Sequence, residues 1–332
     1  MSVFISRTPL RVSFFGGGTD YKWWAKKNGS NIISTTIDKY IYVYSRFHPE
    51  FYENDSRIIY KDVEVVKKFE EIDHPVVRGA LKYLKFKNNK GIEFYYQGDL
   101  PASSGLGSSS AFSVGTINCL SRLKGEEYSS RQLAEKAIFL EQKLLKETVG
   151  FQDQIATAHG GFNHIKIDQK LKFSVKAIKM SNERKNQFNS SLVLIHSGSF
   201  RSASNIASKL VLSMKDRSET LKRIDKISIE AKKIFESSSV DNFDEIGYLL
   251  NETWHLKKSL SKVVSNKRID NIYKLAMKNG ALGGKLLGAG SSGFLLFYVN
   301  KKNKKKFNEI FRKFKKTNFS FDNSGSKVFF IG

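Results

Sequence analysis

The stretch Asp99-Leu-Pro-Ala-Ser-Ser-Gly-Leu-Gly-Ser-Ser-Ser-Ala111 carries residue types and a spacing suited to a polyphosphate. It lies between a predicted strand, 92–97, and a predicted helix that begins near Ser108. Serines at a helix start leave backbone N–H groups free at the positive end of the helix dipole, with hydroxyls beside them. Phosphate oxygens accept from such amides, and a hydroxyl there reaches a metal ion. Gly105 and Gly107 let the backbone approach the phosphates with no Cβ in the way. One serine would serve as a helix cap. The run Ser108, Ser109, Ser110 behind two glycines exceeds that need.

Two further glycine loops and an isolated acid extend the candidate site. Pro9-Leu-Arg-Val-Ser-Phe-Phe-Gly-Gly-Gly-Thr-Asp-Tyr21 reads as a buried strand that ends in three glycines and delivers Thr19 and Asp20 to a turn. A short carboxylate there accepts hydrogen bonds from vicinal sugar hydroxyls, and Thr19 can cap the helix that follows. Asp20 reads equally well as a plain helix-start residue. Asp153 stands in an apolar, amide-rich segment, Gly150-Phe-Gln-Asp-Gln-Ile155, where an acid either pairs with a cation or does chemistry. Gly288-Ala-Gly-Ser-Ser-Gly293 satisfies Gly-x-Gly-x-x-Gly, but a strand follows it rather than a helix, so a dinucleotide fingerprint is rejected. Gly-x-x-x-x-Gly-Lys-Ser/Thr and the protein-kinase His-Arg-Asp and Asp-Phe-Gly signatures are absent.

The elements that must position these groups alternate strand and helix. Strands are predicted at 9–15, 31–45, 92–97, 192–196, 293–299 and 326–331. Helices are predicted at 108–123, 130–146, 202–214, 217–236, 241–260 and 267–279. The domain boundary is placed between about Lys166 and Ser190, where polar residues thicken. This gives an N-terminal unit over 1–175 and a C-terminal unit over 190–332. Length 332, 40% hydrophobic and 27% charged residues describe a globular chain with a large core. No apolar run approaches the roughly 20 residues of a membrane span. The first residues reach a charge too early for a secretory leader, and the lone Cys119 fits a reducing compartment, so a cytoplasmic location is expected. Six histidines show no metal-ligand spacing.

The net charge of +24 favours acidic ligands: nucleotides, sugar phosphates, nucleic acid or anionic lipid. Its densest cluster, Lys301-Lys-Asn-Lys-Lys-Lys306, precedes Phe307, Phe311 and Phe314 at helical spacing. That pattern is an amphipathic helix with a solvated basic face rather than a nucleic-acid groove.

The order of the three glycine loops resembles the GHMP small-molecule kinases, the superfamily of galactokinase, homoserine kinase and mevalonate kinase. Pro9-Leu-Arg-Val-Ser-Phe-Phe-Gly16 is similar to their N-terminal motif, Pro101-x-x-x-Gly-Leu-Gly-Ser-Ser-Ser-Ala111 to their ATP loop, and Lys285-Leu-Leu-Gly-Ala-Gly-Ser-Ser-Gly293 to their C-terminal glycine motif. Within the superfamily, Gly16-Gly-Gly-Thr-Asp20 with Gly150-Phe-Gln-Asp-Gln-Ile155 and Gly160-Gly-Phe-Asn163 resembles the D-glycero-D-manno-heptose 7-phosphate kinases most closely. Galactokinases carry Glu and His where Gly17 and Gly18 stand.

The resemblance implies an α/β (α+β) two-domain fold, with a mixed-sheet nucleotide domain and a helix-rich, ferredoxin-like C-terminal domain. It implies ATP at Pro101, Ser104, Gly105, Leu106, Gly107, Ser108, Ser109 and Ser110, and Mg²⁺ on Ser109 and Glu141. Without it, Glu141 reads as a solvated helix residue. Asp153 becomes the catalytic acid, as base or as orienting group, with Arg11 as its cationic partner. The sugar falls to Gly17, Gly18, Thr19, Asp20, Gly288, Ala289 and Gly290. A substrate phosphate needs a further cation, Arg201 in the first place and Lys39 in the second. The implied reaction is phosphorylation of the C1 hydroxyl of heptose 7-phosphate, toward nucleotide-activated heptose for surface polysaccharide. The rival acceptors are L-fucose and galactose. The implied partners are ATP and a sugar phosphate, not nucleic acid or membrane, and a homodimer is left open.

Overall fold

The computed structural model describes residues 2–49, 51, 55–198, 203–238 and 243–332. Its first sheet is built on a long antiparallel pair, Val3–Phe15 and Ser30–Phe47, with Phe4 opposite Ser45 and Phe15 opposite Ile33. Both strands run further toward the chain start and end than their apolar cores suggest. Alternation along the first strand sends Leu10, Val12 and Phe14 into the core, while Arg11 and Ser13 face a cleft.

That sheet has nine strands. Its main path runs Lys327–Ile331, Val3–Phe15, Ser30–Phe47, Ile92–Gly98, Ser56–Ile59, Val63–Val66. Phe162–Ile167 adds to the early half of Ser30–Phe47. The pair Ser56–Ile59 with Ile92–Gly98 is parallel and its neighbours are antiparallel, so the sheet is mixed. The second sheet has the order Lys316–Thr317, Leu192–His196, Phe294–Val299, Ala281–Leu286. Numbered along the chain this is 4-1-3-2, all antiparallel, as a ferredoxin-like unit requires.

The two halves are not independent in sequence. Phe321–Asp322 pairs with Ile37 and Thr36, and Lys327–Ile331 pairs with Val3–Arg7, so residues expected in the C-terminal unit complete the N-terminal sheet. The Phe14 ring packs with Phe162, Phe188, Phe235 and Phe321, joining residues from both halves in one core. The expected helix over 130–146 is α-helical only for Ser130–Phe139. It then widens into a π turn at Leu140–Leu144, which carries Glu141 inward.

The basic C-terminal helix spans Lys301–Ile310, with Phe307 and Phe311 fully buried. Those rings pack against Phe297 and each other and so are not offered to nucleic-acid bases. Among the described residues, no helix is long and apolar enough to cross a membrane.

Candidate active site

The helix Ser108–Leu123 is buried along almost its whole length, and its N-terminus opens on a cleft of about 570 Å³. Gly107 enters the helix with φ +74°, and Gly105 takes φ +80°. Gly105 also meets the third glycine loop. A Cβ on Gly105 would lie 2.5 Å from Leu287 O, and one on Gly288 would lie 2.6 Å from Gly105 Cα. The two loops are further tied by Phe294 N donating to Ser104 O at 3.0 Å. The glycines therefore serve loop-to-loop contact as well as access to phosphate.

Of the residues expected at ATP, Gly105, Gly107, Ser108, Ser109 and Ser110 line the cleft. Pro101, Ser104 and Leu106 do not. Leu106 is core, Ser104 is buried behind the loop, and Pro101 is exposed away from it. Their part is to shape the turn. Gly288, Ala289 and Gly290 line the opposite wall.

Arg11 and Asp153 are joined as the resemblance implied. Arg11 Nε donates to Asp153 Oδ1 at 2.8 Å, and Nη2 donates to Oδ2 at 2.5 Å. Arg11 Nη1 donates to Gly105 O at 2.7 Å, and its backbone N donates to Leu106 O at 2.9 Å. One guanidinium thus ties the phosphate loop to the aspartate. Its side chain is only 4% exposed, whereas that of Asp153 is 26% exposed and open to the cleft. Asp153 sits in the first turn of Gln152–His159, where the helix dipole favours a negative charge.

Asp20 completes the acidic side. Its carboxylate accepts from Gly18 N and Gln152 N, each at 3.1 Å. Burial, and next the charge of Asp153, push its carboxyl above the usual range, while those two N–H donors oppose the shift. Gly150 is the residue that makes room, because a Cβ there would lie 1.9 Å from Asp20 Oδ2. A Cβ on Gly17 would meet nothing closer than Gln152 Nε2 at 3.5 Å, and Gly18 lies beside Met214. Asp20 is therefore a held cleft carboxylate rather than a plain helix-start residue.

Three expectations are corrected by the structure. Thr19 is fully buried. Its hydroxyl donates to Gly16 O at 2.8 Å and shares a 2.6 Å hydrogen bond with Ser30, so it ties the turn and neither lines the cleft nor caps the next helix. Lys39 lies outside the cleft, with Nζ donating to Asp38 O and Oδ1 at 3.0 and 3.1 Å. Glu141 is not solvated but fully buried, and it meets Ser110 (3.1 Å) and Gln154 rather than Ser109. Arg201 lies outside the described residues.

Burial pushes the Glu141 carboxyl up to about 8, against the opposing pull of Ser113, Gln154 and Ser110. Its Oε1 has no hydrogen-bond partner within bonding geometry among the described residues. A hard cation that takes oxygen ligands would draw on the exposed Ser109 hydroxyl and on the unpaired Glu141 oxygen behind Ser110, which does not itself line the cleft. No group of three or more His, Cys, Asp or Glu among the described residues could hold a metal. Phosphate oxygens and water would supply the remaining ligands, as is usual for Mg²⁺.

Two lysines of the cleft wall, Lys257 and Lys285, carried no expected role. Lys257, on the helix Asp244–Leu260, donates from Nζ to Leu286 O at 2.9 Å and to Gly288 O at 2.5 Å. Lys285 is buried and donates to Phe14 O at 2.9 Å. Burial, then the positive neighbours, lower both amines, Lys257 to about 7 and Lys285 well below its ordinary value. Lys285 stands inside a quoted motif and was within reach of sequence reasoning, whereas Lys257 is one of 56 basic residues with nothing local to mark it.

A glycine-serine helix start that shares a cleft with an arginine-held aspartate and a second, recessed carboxylate is an arrangement that suits phosphoryl transfer to a small hydroxyl compound. Residues 75–161 match the GHMP kinases N terminal domain and residues 232–319 the GHMP kinases C terminal, together more than half of the chain. The chain belongs to the GHMP kinases.

D-glycero-alpha-D-manno-heptose 7-phosphate kinase of Campylobacter jejuni is 28% identical over 322 residues, 93% of each chain. The bifunctional fucokinase/GDP-fucose pyrophosphorylase of Arabidopsis thaliana is 23% identical over 90% of this chain, which spans 30% of that protein's length. Among solved structures, a D-glycero-D-manno-heptose 1-phosphate kinase from Bacteroides thetaiotaomicron superposes with a TM-score of 0.80 at 22% identity, over 98% of both chains. Lactococcus lactis galactokinase complexed with galactose gives 0.72 at 19% identity, over 98% and 95%. These structural likenesses establish the shared fold.

Proposed function

We propose that the protein transfers the terminal phosphoryl group of ATP to the C1 hydroxyl of D-glycero-D-manno-heptose 7-phosphate. The observation that carries this reading is the placement of Asp20, beside the lining glycines Gly17 and Gly18, in the same cleft as the Arg11–Asp153 pair. The sugar oxygen attacks the terminal phosphorus as the bond to the bridging oxygen of ADP breaks. Its proton passes to Asp153, late in the transfer because the transition state is loose. Arg11 orients Asp153 through two hydrogen bonds and stabilises charge on the moving group. Ser109 and Glu141 would hold Mg²⁺, which neutralises phosphate charge. An ATP-consumption screen over free and phosphorylated hexoses and heptoses tests the assignment, and the heptose 7-phosphate should give the highest kcat/KM.

Gly150→Ala is expected to raise the acceptor KM by about 10-fold or more, because the new methyl displaces Asp20 from the Gln152 N–H. Nucleotide affinity should change little. Steady-state kinetics with each substrate varied in turn make the comparison, and an unchanged acceptor KM would remove Asp20 from sugar binding.

Ser109→Ala is expected to raise the Mg²⁺ concentration needed for half-maximal rate. Ser110→Ala should act instead on stability, losing the bond to Glu141, worth about 1 kcal/mol. A Mg²⁺ titration and a thermal unfolding curve of each variant separate the two. Equal, small effects in both measurements would count against the metal site.

A further inference from the structure

We infer that Thr253 and Lys257, one turn apart on the helix Asp244–Leu260, receive the terminal phosphoryl group of the nucleotide and hold it against Arg11. The inference rests on the nucleotide-dependent reaction proposed above. Positions 253, 257 and 260 share one helix face, and all three line the cleft. Thr253 is 3% exposed, and its Oγ1 is buried with no hydrogen-bond partner among the described residues. A buried hydroxyl left unpaired in a cleft wall costs stability unless a ligand satisfies it.

Lys257 is fixed where the two glycine loops meet. Its amine holds Gly288 O, Gly288 packs on Gly105, and Arg11 holds Gly105 O from the other side. A phosphoryl group that moves from the amides of Ser108–Ser110 toward a hydroxyl beside Asp153 must pass this point. Neither Lys257 nor Lys285 has an ion-pair partner among the described residues, so the cleft wall holds two amines with no carboxylate of their own.

The electrostatics agree with this geometry. The groups facing Lys257 are Arg11 on the first strand and Lys285 on Ala281–Leu286, with Asp153 reaching it only across Arg11. Burial lowers the amine to about 7, so above that pH it is largely neutral and spends two N–H groups on carbonyls. An incoming phosphate favours the ammonium form. Nucleotide binding above pH 7 should therefore take up a proton, and affinity should fall as pH rises past about 7.

Calorimetric titration of the full chain with Mg-ADP and with Mg-AMP-PNP, in buffers of different ionisation enthalpy, tests the inference. Lys257→Met is expected to weaken AMP-PNP by about 10- to 100-fold. ADP should shift by less than about 3-fold, and part of the proton uptake should be lost. Lys257→Arg should restore AMP-PNP affinity but not the uptake, because arginine is already charged. Thr253→Val, which keeps the shape, should weaken AMP-PNP in the same selective way and serves if Lys257→Met does not fold.

Equal losses for ADP and AMP-PNP, or no loss for either, would overturn the inference. So would a selective loss of inorganic phosphate or sugar phosphate binding, which would give these residues to the acceptor. Failure of the wild-type protein to bind either nucleotide would overturn the nucleotide-dependent reading as well.

Discussion

Asp153→Asn is expected to lower kcat by about 100-fold or more while nucleotide affinity holds. The change is nearly isosteric, so Arg11 keeps its bond to Gly105 O and its place under the phosphate loop. Asparagine removes the charge that both arms of the guanidinium now engage, and its amide turns a donor toward a donor. With Arg11 left without its carboxylate partner, the cleft becomes more positive, which favours polyphosphate. The loss therefore belongs to the step in which the acceptor hydroxyl is oriented and deprotonated. Steady-state kinetics together with an ADP titration check it. A variant that keeps most of its turnover would remove Asp153 from the mechanism.

The parts of this site that were legible in the sequence are those whose chemistry is local. A glycine-serine run before a helix suggests phosphate through backbone amides of the same few residues, and Gly105, Gly107 and Ser108 to Ser110 line the cleft. Asp153 stood out because its neighbours are apolar or amides, an unusual setting for an acid. Motif letters misled where their work is structural. Thr19 ties its turn to Ser30, and Leu106 fills the core beneath the loop. Lys39 lies on a strand near the first loop in sequence, but the pairing of that strand leaves its amine with Asp38.

What remained hidden is fixed by contacts between distant segments. The return of Lys327–Ile331 to the edge of the first sheet depends on a partner more than 300 residues away, and a short strand carries no mark of its partner. Glu141 is turned inward by a π turn that the helical periodicity of 130–146 does not reveal. Lys257 is placed by the packing of a helix on the strand Ala281–Leu286, so its meeting with the glycine loop follows only from the tertiary fold. Local chemistry was readable, and charge brought in by packing was not.

Substrate choice should show the second large effect. Heptose 7-phosphate is expected to be turned over about 30-fold to nearly 1000-fold more efficiently than the unphosphorylated sugar, measured as kcat/KM. The range corresponds to about 2–4 kcal/mol for a charge-assisted pair left without its phosphate. Gly17 and Gly18 line the cleft beside Asp20 without side chains, Gly17 with room for a small group and Gly18 close against Met214, and in the proposed reaction C1 of the sugar sits at Asp153 with its far end extending outward. A cation is needed at that far end. Lys39 lies outside the cleft, so this role is proposed for Arg201, which is outside the described residues. Arg201→Gln should reduce kcat/KM for the 7-phosphate strongly and for the free sugar little, because only the phosphorylated substrate offers the charge. If free heptose, galactose or fucose is used as efficiently as the 7-phosphate, the heptose-phosphate assignment fails. The chain would remain a GHMP kinase, with its acceptor to be sought among sugars that carry no phosphate.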